Sequence, residues 1–339
     1  MSEISAKRVK IYGTIGPACS DREILREMFS EGMDGVRLNI SHASLEESAE
    51  QIANCLAAAS GCGIRPELLI DMQGPELRIG SLGRDVRLSD GDHVRPEDIM
   101  LPEAVTDELE KCMPGQEVLL DDGKILLKKE EGGGLRVVRG GVLESRKSVS
   151  LPGRSVFSPA MTDRDRAQIK RAAEFGATSV MQPFVRSRDD LIEVRQALDE
   201  AGCGDIRLLA KIENRDGIDR IDELIPHCDE IVIARGDLGN SMELWHLPAA
   251  QKYISAKCRE AGRDFMVVTQ MLDSMTHRKV PTRAEVSDIF NAVADGASSV
   301  MVTGETAAGD NPALVIRYLC RTVREAEKYM ENFGKRFTE

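Results

Sequence analysis

Short apolar segments alternate with amphipathic helical segments along most of the chain, and this alternation constrains the fold more than any other feature. Helical periodicity separates the apolar segments, for example over 21–32 and in a last helix over about 311–331. The apolar segments are short and rich in branched residues, as strands buried on both faces are. Such alternation predicts a parallel sheet covered by helices. Eight segments have this character: KRVKIYGTIG, MDGVRLNI, ELLIDM, ATSVMQPFV, DIRLLAKIEN, DEIVIARGD, DFMVVTQM and ASSVMVTGE.

The alternation is interrupted once, between the third and fourth apolar segments. Residues 74–158 carry closely spaced turn signals, such as SDGD, MPGQ, EGGG and VRGG, and no long helical pattern. We interpret them as an all-β lid domain inserted between two parts of one barrel, 1–73 and 159–339. Without the insertion, about 255 residues and eight strands remain, which matches a (β/α)8 TIM barrel. The alternative is a doubly wound sheet, but no GxGxxG follows any strand.

Charge and cysteine content narrow the class of function. The chain has 57 acidic and 45 basic residues, a net charge of −12, and thus no basic surplus for nucleic acid or an anionic membrane. A few focused cations could still bind a small anion. The polar N-terminal segment has no signal-peptide core, and no apolar run approaches the length of a membrane span. The eight cysteines include no CxxC pair, so we expect packed free thiols and a cytoplasmic protein.

Polar residues at the ends of the fifth and sixth strands suggest a metal site. Catalytic groups of (β/α)8 barrels lie at the carboxyl ends of the strands. Lys211 and Glu213 alternate onto one side of the fifth strand, and Asp237 ends the sixth. Since neighbouring strands lie about 4.8 Å apart, Glu213 and Asp237 could share one divalent ion such as Mg²⁺. Alternatively, the three side chains form an ion-pair network at the barrel rim.

A second polar group follows the second and third strands. Arg37, Asn39 and Ser41 alternate onto one face, and Asp71 ends the third strand. These oxygens and one cation suit a monovalent metal beside a phosphate, although a capped strand end with a surface salt bridge explains the same residues.

The ends of the sixth and seventh strands could bind a carboxylate. Gly236 and Asp237 offer backbone N–H groups, and Thr269 offers a hydroxyl. A glycine at this position is also what a simple turn requires.

These strand ends resemble those of the pyruvate kinase family. The resemblance runs in family order over nearly the whole chain and implies a (β/α)8 barrel with a β-rich lid after the third strand, as inferred above. We expect a compact, unregulated form, because the family's C-terminal domain with its sugar-phosphate activator site has no counterpart in this sequence. The matching runs are KIYGTIGPA, VRLNISH, IDMQGPELRIG, LLDDGKI, KSVSLPG, KIENRDGI, IARGDLG, VTQMLDSM, PTRAEVSDIFNAVADGA and GETAAGD.

The resemblance implies transfer of a phosphoryl group from phosphoenolpyruvate to ADP, which yields pyruvate and ATP. Glu213 and Asp237 would hold Mg²⁺ or Mn²⁺, and Lys211 would neutralise charge on the transferring group and the enolate oxygen. Arg37 would grip the phosphoryl oxygens. Thr269 would lie near the enolate carbon. The substrate-binding set is then Arg37, Lys211, Gly236, Asp237 and Thr269.

The resemblance also implies a K⁺ site and a nucleotide site. Potassium would bind Asn39, Ser41, Asp71 and the carbonyl of Met72. Glu76 stands where family members with Glu generally need K⁺ and members with Lys do not. Asp122 would face the cleft from the lid. The nucleotide and its phosphates would contact Pro17, Asn39, His42, Arg78 and Lys147.

Some positions depart from the family pattern, and two other functions remain open. Gln73, Pro183 and Ala308 stand where many members have Lys, Ser and Lys. The first alternative is a Mg²⁺-dependent lyase or aldolase acting on a pyruvate-like 2-oxo acid. The second is a non-catalytic metabolite-binding relative. The lid and Lys147 favour phosphoryl transfer, because an aldolase needs no nucleotide cleft. A homodimer through the barrel is expected by analogy only.

Overall fold

The first part of the chain forms three parallel strands and two helices. A computed structural model describes residues 8–41, 43–121, 123–154, 156 and 159–336, so the predicted site residues His42 and Asp122 lie outside the described residues. Helix α1 begins where the Asp21 carboxylate accepts the Glu23 N–H at 2.8 Å. The elements are β1 (Lys10–Thr14), α1 (Arg22–Ser30), β2 (Gly35–Asn39), α2 (Ala49–Gly61) and β3 (Glu67–Asp71).

The chain then leaves this layer and forms two antiparallel sheets with a hydrophobic core of their own. The described residues of this lid form seven strands and one α-helix: β4 (Val86–Leu88), β5 (His93–Val94), α3 (Glu103–Lys111), β6 (Glu117–Leu120), β7 (Ile125–Lys129), β8 (Leu135–Arg139), β9 (Gly141–Leu143) and β10 (Val149–Ser150). Strands β4 and β9 pair with each other, and the larger sheet has the order β10-β6-β7-β8-β5.

The lid is therefore not all β, and that part of the sequence prediction is wrong. Helix α3 buries Val105 and Leu109, one turn apart, in the lid core. Lys129 in β7 donates hydrogen bonds to the carbonyls of Leu109 (2.6 Å) and Cys112 (2.7 Å) at the end of the helix. Two buried positions in nine residues make too short a helical stripe to stand out among turn signals.

The second part of the chain returns to strand–helix alternation. Its elements are α4 (Asp163–Ile169), β11 (Ser179–Gln182), α5 (Arg188–Glu200), β12 (Arg207–Ile212), α6 (Arg215–Asp219), α7 (Ile221–Leu224), β13 (Glu230–Ala234), α8 (Arg235–Asn240), α9 (Leu247–Glu260), β14 (Asp264–Val268), α10 (Arg283–Ala294), β15 (Ser299–Met301), α11 (Gly304–Ala307) and α12 (Pro312–Arg336).

Eight parallel strands close into a barrel in the order β1-β15-β14-β13-β12-β11-β3-β2, which confirms the predicted (β/α)8 fold. A large core lies between the strands and the helices, and a second, smaller core of nine buried side chains, including Leu69 and Leu209, consists of residues on or next to the barrel strands. The boundaries predicted at residues 74 and 158 stay a prediction. None of the helices described here is long and apolar enough to span a membrane.

Candidate active site

Lys211 lies at the centre of a charged cluster at the carboxyl ends of the barrel strands. Its Nζ atom is 3.0 Å from Glu213 Oε1 and 3.4 Å from both carboxylate oxygens of Asp71. The other oxygen of Glu213 accepts the backbone N–H of Phe184 at 2.7 Å. The Lys211 and Glu213 side chains are only 13% and 1% exposed. One ammonium group therefore links the ends of two strands, β3 and β12.

Burial and charge act against each other in this cluster. Burial raises the pKa of Glu213 to about 7, although the Lys211 ammonium opposes the shift. Burial disfavours the charged form of Lys211, but Asp71 and Glu213 more than compensate and keep its pKa above the ordinary value. Burial would likewise raise the pKa of Asp71, yet Lys211 and Arg37 hold it below its usual range. Glu213 is thus the group whose charge the local environment supports least, and a bound cation would correct this.

Asp237 lies beyond the end of its strand. The sequence pattern placed it at the strand terminus, but β13 ends at Ala234 and Asp237 belongs to the first turn of α8. The chain turns directly into this helix, which buries Leu238 completely. Asp237 and Glu213 nevertheless line the same cavity, of about 340 Å³, between the barrel and the lid.

Arg37 makes a close ion pair with Asp71. Its Nε and Nη2 atoms lie 2.8 and 2.5 Å from Asp71 Oδ2, and Nη1 donates to Thr14 Oγ1 at 3.3 Å. Asp71 thus accepts hydrogen bonds from Arg37 on one side and from Lys211 on the other. Of the rim ion-pair network that the sequence left open, the Lys211–Glu213 pair is present, and Asp71 is a further carboxylate shared by Lys211 and Arg37.

The predicted potassium ligands lie on two neighbouring strands. Asn39 is directly opposite Asp71 in the β2–β3 pairing, and the Ile40 N–H donates to the Asp71 carbonyl at 3.1 Å. Asn39 Oδ1 accepts the N–H of Ser41 at 3.0 Å, which turns the chain at the strand end. Met72 follows Asp71 and is tied to Met181 by a backbone hydrogen bond. The fold therefore brings the four predicted ligand residues together.

Thr269 has a strained backbone, and Arg235 holds it. Thr269 and Gln270 have φ angles of +78° and +55° directly after β14, a region that a β-branched residue rarely occupies. Arg235 donates from Nε (3.1 Å) and Nη2 (2.7 Å) to the Thr269 carbonyl, while Nη1 lies 2.6 Å from Asp288. A Cβ atom on Gly236 would come within 3.1 Å of Thr269 Cγ2. The ends of β13 and β14 are thus packed tightly together.

Arg235 is a residue that sequence reasoning missed. It is nine-tenths buried, which is rare for arginine unless the group is paired. The pattern IARGD shows that an arginine follows a buried strand, but burial and partners 34 and 53 residues away leave no local signal.

Of the predicted nucleotide residues that the structure describes, Arg78 and Lys147 lie at the base of the lid, and Pro17 lies near the start of the chain. Arg78 and Lys147 lie on paired segments, since Arg78 bridges to Ser148 and the Ile79 N–H donates to the Lys147 carbonyl. Arg78 forms an ion pair with Glu76 at 2.7 Å. Lys147 lies 3.2 Å from Asp121 and 2.9 Å from Glu144. Pro17 is exposed at the start of a 3-10 turn after β1.

Fold and site together define a (β/α)8-barrel protein with an inserted lid and a charged cluster at the end of the barrel where such proteins carry their catalytic groups. The sequence profile of the pyruvate kinase barrel domain matches residues 6–316. The chain belongs to the pyruvate kinase family.

Curated relatives agree with this assignment. The chain is 35% identical to pyruvate kinase of Geobacillus stearothermophilus, with 96% of this chain and 58% of that protein covered. It is 33% identical to pyruvate kinase of Clostridium perfringens, covering 96% and 71%, and 38% identical to human pyruvate kinase PKLR, covering 96% and 60%. The chain thus spans roughly three fifths to seven tenths of the length of these relatives.

Proposed function

We propose that the protein transfers a phosphoryl group between phosphoenolpyruvate and ADP, with pyruvate and ATP as products. The Lys211 cluster carries this proposal: an ammonium and the Arg37 guanidinium converge on Asp71 at the strand ends, beside the buried carboxylate of Glu213. Phosphoryl transfer depends on positioning and on charge stabilisation rather than on covalent chemistry by the protein. Two focused cations supply that stabilisation in a chain whose overall charge is −12.

Each member of the cluster has a defined task in the proposed reaction. Lys211 stabilises negative charge on the transferring group and on the enolate oxygen. Arg37 exchanges its partner, because the phosphoryl oxygens compete with Asp71 for the guanidinium. Thr269 and the first turn of α8, with Gly236, hold the substrate carboxylate. The lid covers the cleft and excludes water, which would otherwise accept the phosphoryl group.

The residues fit a divalent cation. Glu213 and Asp237 line one cavity, and the raised pKa of Glu213 means that a bound cation can replace its proton. Groups of three or more His, Cys, Asp or Glu arranged for a metal do not occur among the described residues. Two carboxylates with water and substrate oxygens are a usual set for Mg²⁺. Mg²⁺ or Mn²⁺ held by Glu213 and Asp237 would add charge stabilisation at the substrate oxygens.

A potassium requirement is part of the proposal. The Asn39, Ser41, Asp71 and Met72 oxygens lie on adjoining strand ends, and Glu76 adds a carboxylate at the lid base. Initial rates in tetramethylammonium buffer should rise about tenfold or more when KCl is added at constant ionic strength, because the cation stabilises negative charge on the phosphoryl group in the transition state. Equal rates would contradict the K⁺ assignment.

Glu76 variants test the charge argument behind that requirement. Glu76→Lys introduces an ammonium group and should raise the potassium-free rate. Glu76→Gln is the matched control: it also breaks the Arg78 ion pair but adds no cation. An equal gain in both variants would show that release of Arg78, rather than replacement of K⁺, is responsible.

The direct test is formation of pyruvate from phosphoenolpyruvate, measured by coupling to lactate dehydrogenase. We expect turnover that requires both ADP and Mg²⁺ and produces one ATP per pyruvate. Release of pyruvate from a larger 2-oxo acid without nucleotide would instead identify a lyase or aldolase. Tight binding of phosphoenolpyruvate without turnover would identify a non-catalytic relative.

A further inference from the structure

Two chain segments join the lid to the barrel, and a single buried carboxylate binds both of them. The outgoing segment leaves β3 through Gln73 and Gly74, and the returning segment reaches helix α4 through Thr162. Asp165 in α4 is fully buried. It accepts the N–H of Gln73 (2.8 Å), the N–H of Gly74 (3.0 Å), and both the N–H (2.9 Å) and the hydroxyl (2.7 Å) of Thr162.

We propose that Asp165 is a positioning residue for the lid, which fastens both lid connections to the barrel and so sets the orientation of the lid over the cleft. The proposal rests on the proposed function in one respect: the lid carries Arg78 and Lys147, which are assigned to the nucleotide. Asp165 itself lies outside the charged cluster and is bonded to backbone and to one hydroxyl.

The hydrogen-bond pattern requires a carboxylate. Oδ2 of Asp165 accepts three donors and Oδ1 accepts one, from Gln73. An asparagine has only one acceptor oxygen. If that oxygen keeps the three donors of Gly74 and Thr162, its NH₂ group faces the N–H of Gln73, and two donors oppose each other. Asp165→Asn therefore weakens the outgoing connection selectively and retains the helix cap.

The outgoing segment is also fixed from its other side. Gly74 has φ +62°, and a Cβ atom placed there would lie 2.2 Å from Pro183 Cγ, which follows β11. Gly74 is thus wedged between Pro183 and the Asp165 carboxylate. The outgoing segment is therefore fixed to the barrel up to Gly74, and the direction in which the lid leaves the barrel is set from this point.

Loss of the Asp165 hydrogen bonds to the lid connections should affect the lid side of the site, which is assigned to the nucleotide, more than the barrel side. Arg78 lies four residues beyond Gly74, and Lys147 pairs with the same lid segment, so both follow the orientation of the lid. Lys211, Glu213 and Thr269 belong to the barrel. At the far side of the lid, a Cβ atom on Gly123 would lie 3.1 Å from Asn240 Oδ1 of α8, so the lid reaches the barrel there as well.

A merely structural role is the competing explanation. Thr162 and Asp165 form the capping box of α4, and loss of a cap would destabilise that helix without any effect on the lid. Two control variants separate the roles. Thr162→Ala removes the hydroxyl of the cap and leaves the Gln73 and Gly74 bonds intact. Asp163→Asn removes an exposed acidic charge from the same first turn.

The experiment combines amide hydrogen exchange with steady-state kinetics of the full chain. In Asp165→Asn, exchange at Gln73 should accelerate about tenfold or more relative to wild type, the effect of losing one buried hydrogen bond to a charged group. The KM for ADP should rise by a similar factor, while the KM for phosphoenolpyruvate stays within about twofold. Both control variants should leave exchange at Gln73 and the KM for ADP near wild type.

Each outcome decides one question. If Asp165→Asn and Thr162→Ala change the exchange rate at Gln73 and the KM for ADP equally, Asp165 acts only as part of the helix cap and the proposal is overturned. If Asp165→Asn does not fold, wild-type exchange decides: Gln73 and Gly74 amides that exchange as fast as an unstructured peptide overturn the anchor, and protection comparable to the barrel strands supports it. Absence of any turnover in wild type would refute the proposed function, while the exchange data would still test the anchor.

Discussion

The two ends of the barrel both carry charged side chains, contributed by the same strands. On β3, Glu67 lies at the amino end and Asp71 at the carboxyl end; on β12, Arg207 and Lys211 are arranged in the same way. Alternation in a strand puts residues four apart on one face, with an apolar residue between them. The middle residues Leu69 and Leu209 belong to the smaller core, so the two charged layers enclose an apolar one.

At the amino end, charges are paired within regular strands. Glu67 is bonded to Lys10 and to the Tyr12 hydroxyl, and Arg207 Nη2 lies 2.9 Å from Glu230. Ser299 donates to the other oxygen of Glu230 at 2.5 Å. The cavity there is about 390 Å³, slightly larger than the one beneath the lid, so cavity size does not distinguish the two ends.

The carboxyl end of the barrel differs from the amino end in its backbone conformation. Phe184, Thr269 and Gln270, just beyond strands β11 and β14, have positive φ angles, and each such residue costs of order 1–3 kcal/mol. The groups around them converge on the cleft. Charge alone therefore does not distinguish the two ends of this barrel, whereas strained strand ends beneath a lid occur together with charge at the carboxyl end.

The largest expected effect distinguishes Lys211 from Arg207, the two basic residues at opposite ends of β12. Lys211→Met should lower kcat/KM by more than about 10²-fold, since it removes a charge focused on the transition state. Arg207→Met should leave activity near wild type but lower the free energy of unfolding by about 1.5–3 kcal/mol, because the buried Glu230 loses a charged hydrogen bond and keeps only that of Ser299 among the two described here. Lys211→Met should cost less stability, because Glu213 can take up a proton and Asp71 keeps Arg37. Steady-state kinetics and urea denaturation measure both; comparable losses of activity would abolish the contrast.

A smaller effect should appear in the pH dependence of stability of the metal-free protein. The folded-state pKa of Glu213, about 7, exceeds its ordinary value of 4.5. Between these values the unfolded chain loses the proton first, so the free energy of unfolding falls as pH rises, by on the order of 3 kcal/mol in all. Glu213→Gln should remove this slope in urea denaturation with a chelator present. A slope unchanged from wild type would contradict the assignment.

The pKa of Glu67, at the amino end of the barrel, is shifted in the opposite direction, so Glu67 provides a control. Burial opposes its ionisation, but hydrogen bonds from Lys10 and Tyr12 hold its pKa below the ordinary value. Its contribution is present above that value and is lost as pH falls through the folded pKa. Glu67→Gln should therefore flatten the acid side of the same curve and leave the neutral range unchanged.

The smallest predicted effect concerns the strained turn. Arg235→Lys cannot donate twice to the Thr269 carbonyl and also reach Asp288, because an ammonium lacks the planar fork of a guanidinium. We expect the KM for phosphoenolpyruvate to rise about tenfold, the equivalent of one lost charged hydrogen bond, with little change in the KM for ADP. Asp288→Asn should raise the KM for phosphoenolpyruvate less than Arg235→Lys does. Equal changes in both KM values would indicate general loosening instead.

Local patterns in the chain were sufficient for the barrel and for much of the site. Lys211 and Glu213 could be placed together because period-two alternation is a property of the strand itself. Asn39 and Asp71 could be placed together because parallel strands end at one edge. The inserted lid was recognisable from its turn residues, although helix α3 was not.

Tertiary structure alone decided the contacts between distant segments. Asp165 binds the N–H of Gln73 across 92 positions, and Arg235 binds Thr269 across 34. Neither contact leaves a periodic signal, because each depends on which loops meet after the barrel closes. The sequence by itself determined which faces are apolar and which strand ends are charged, since both follow from residue type and spacing. Which charges are buried, which backbone is strained and which carboxylate anchors the lid depended on closure, because only packing sets burial and partner.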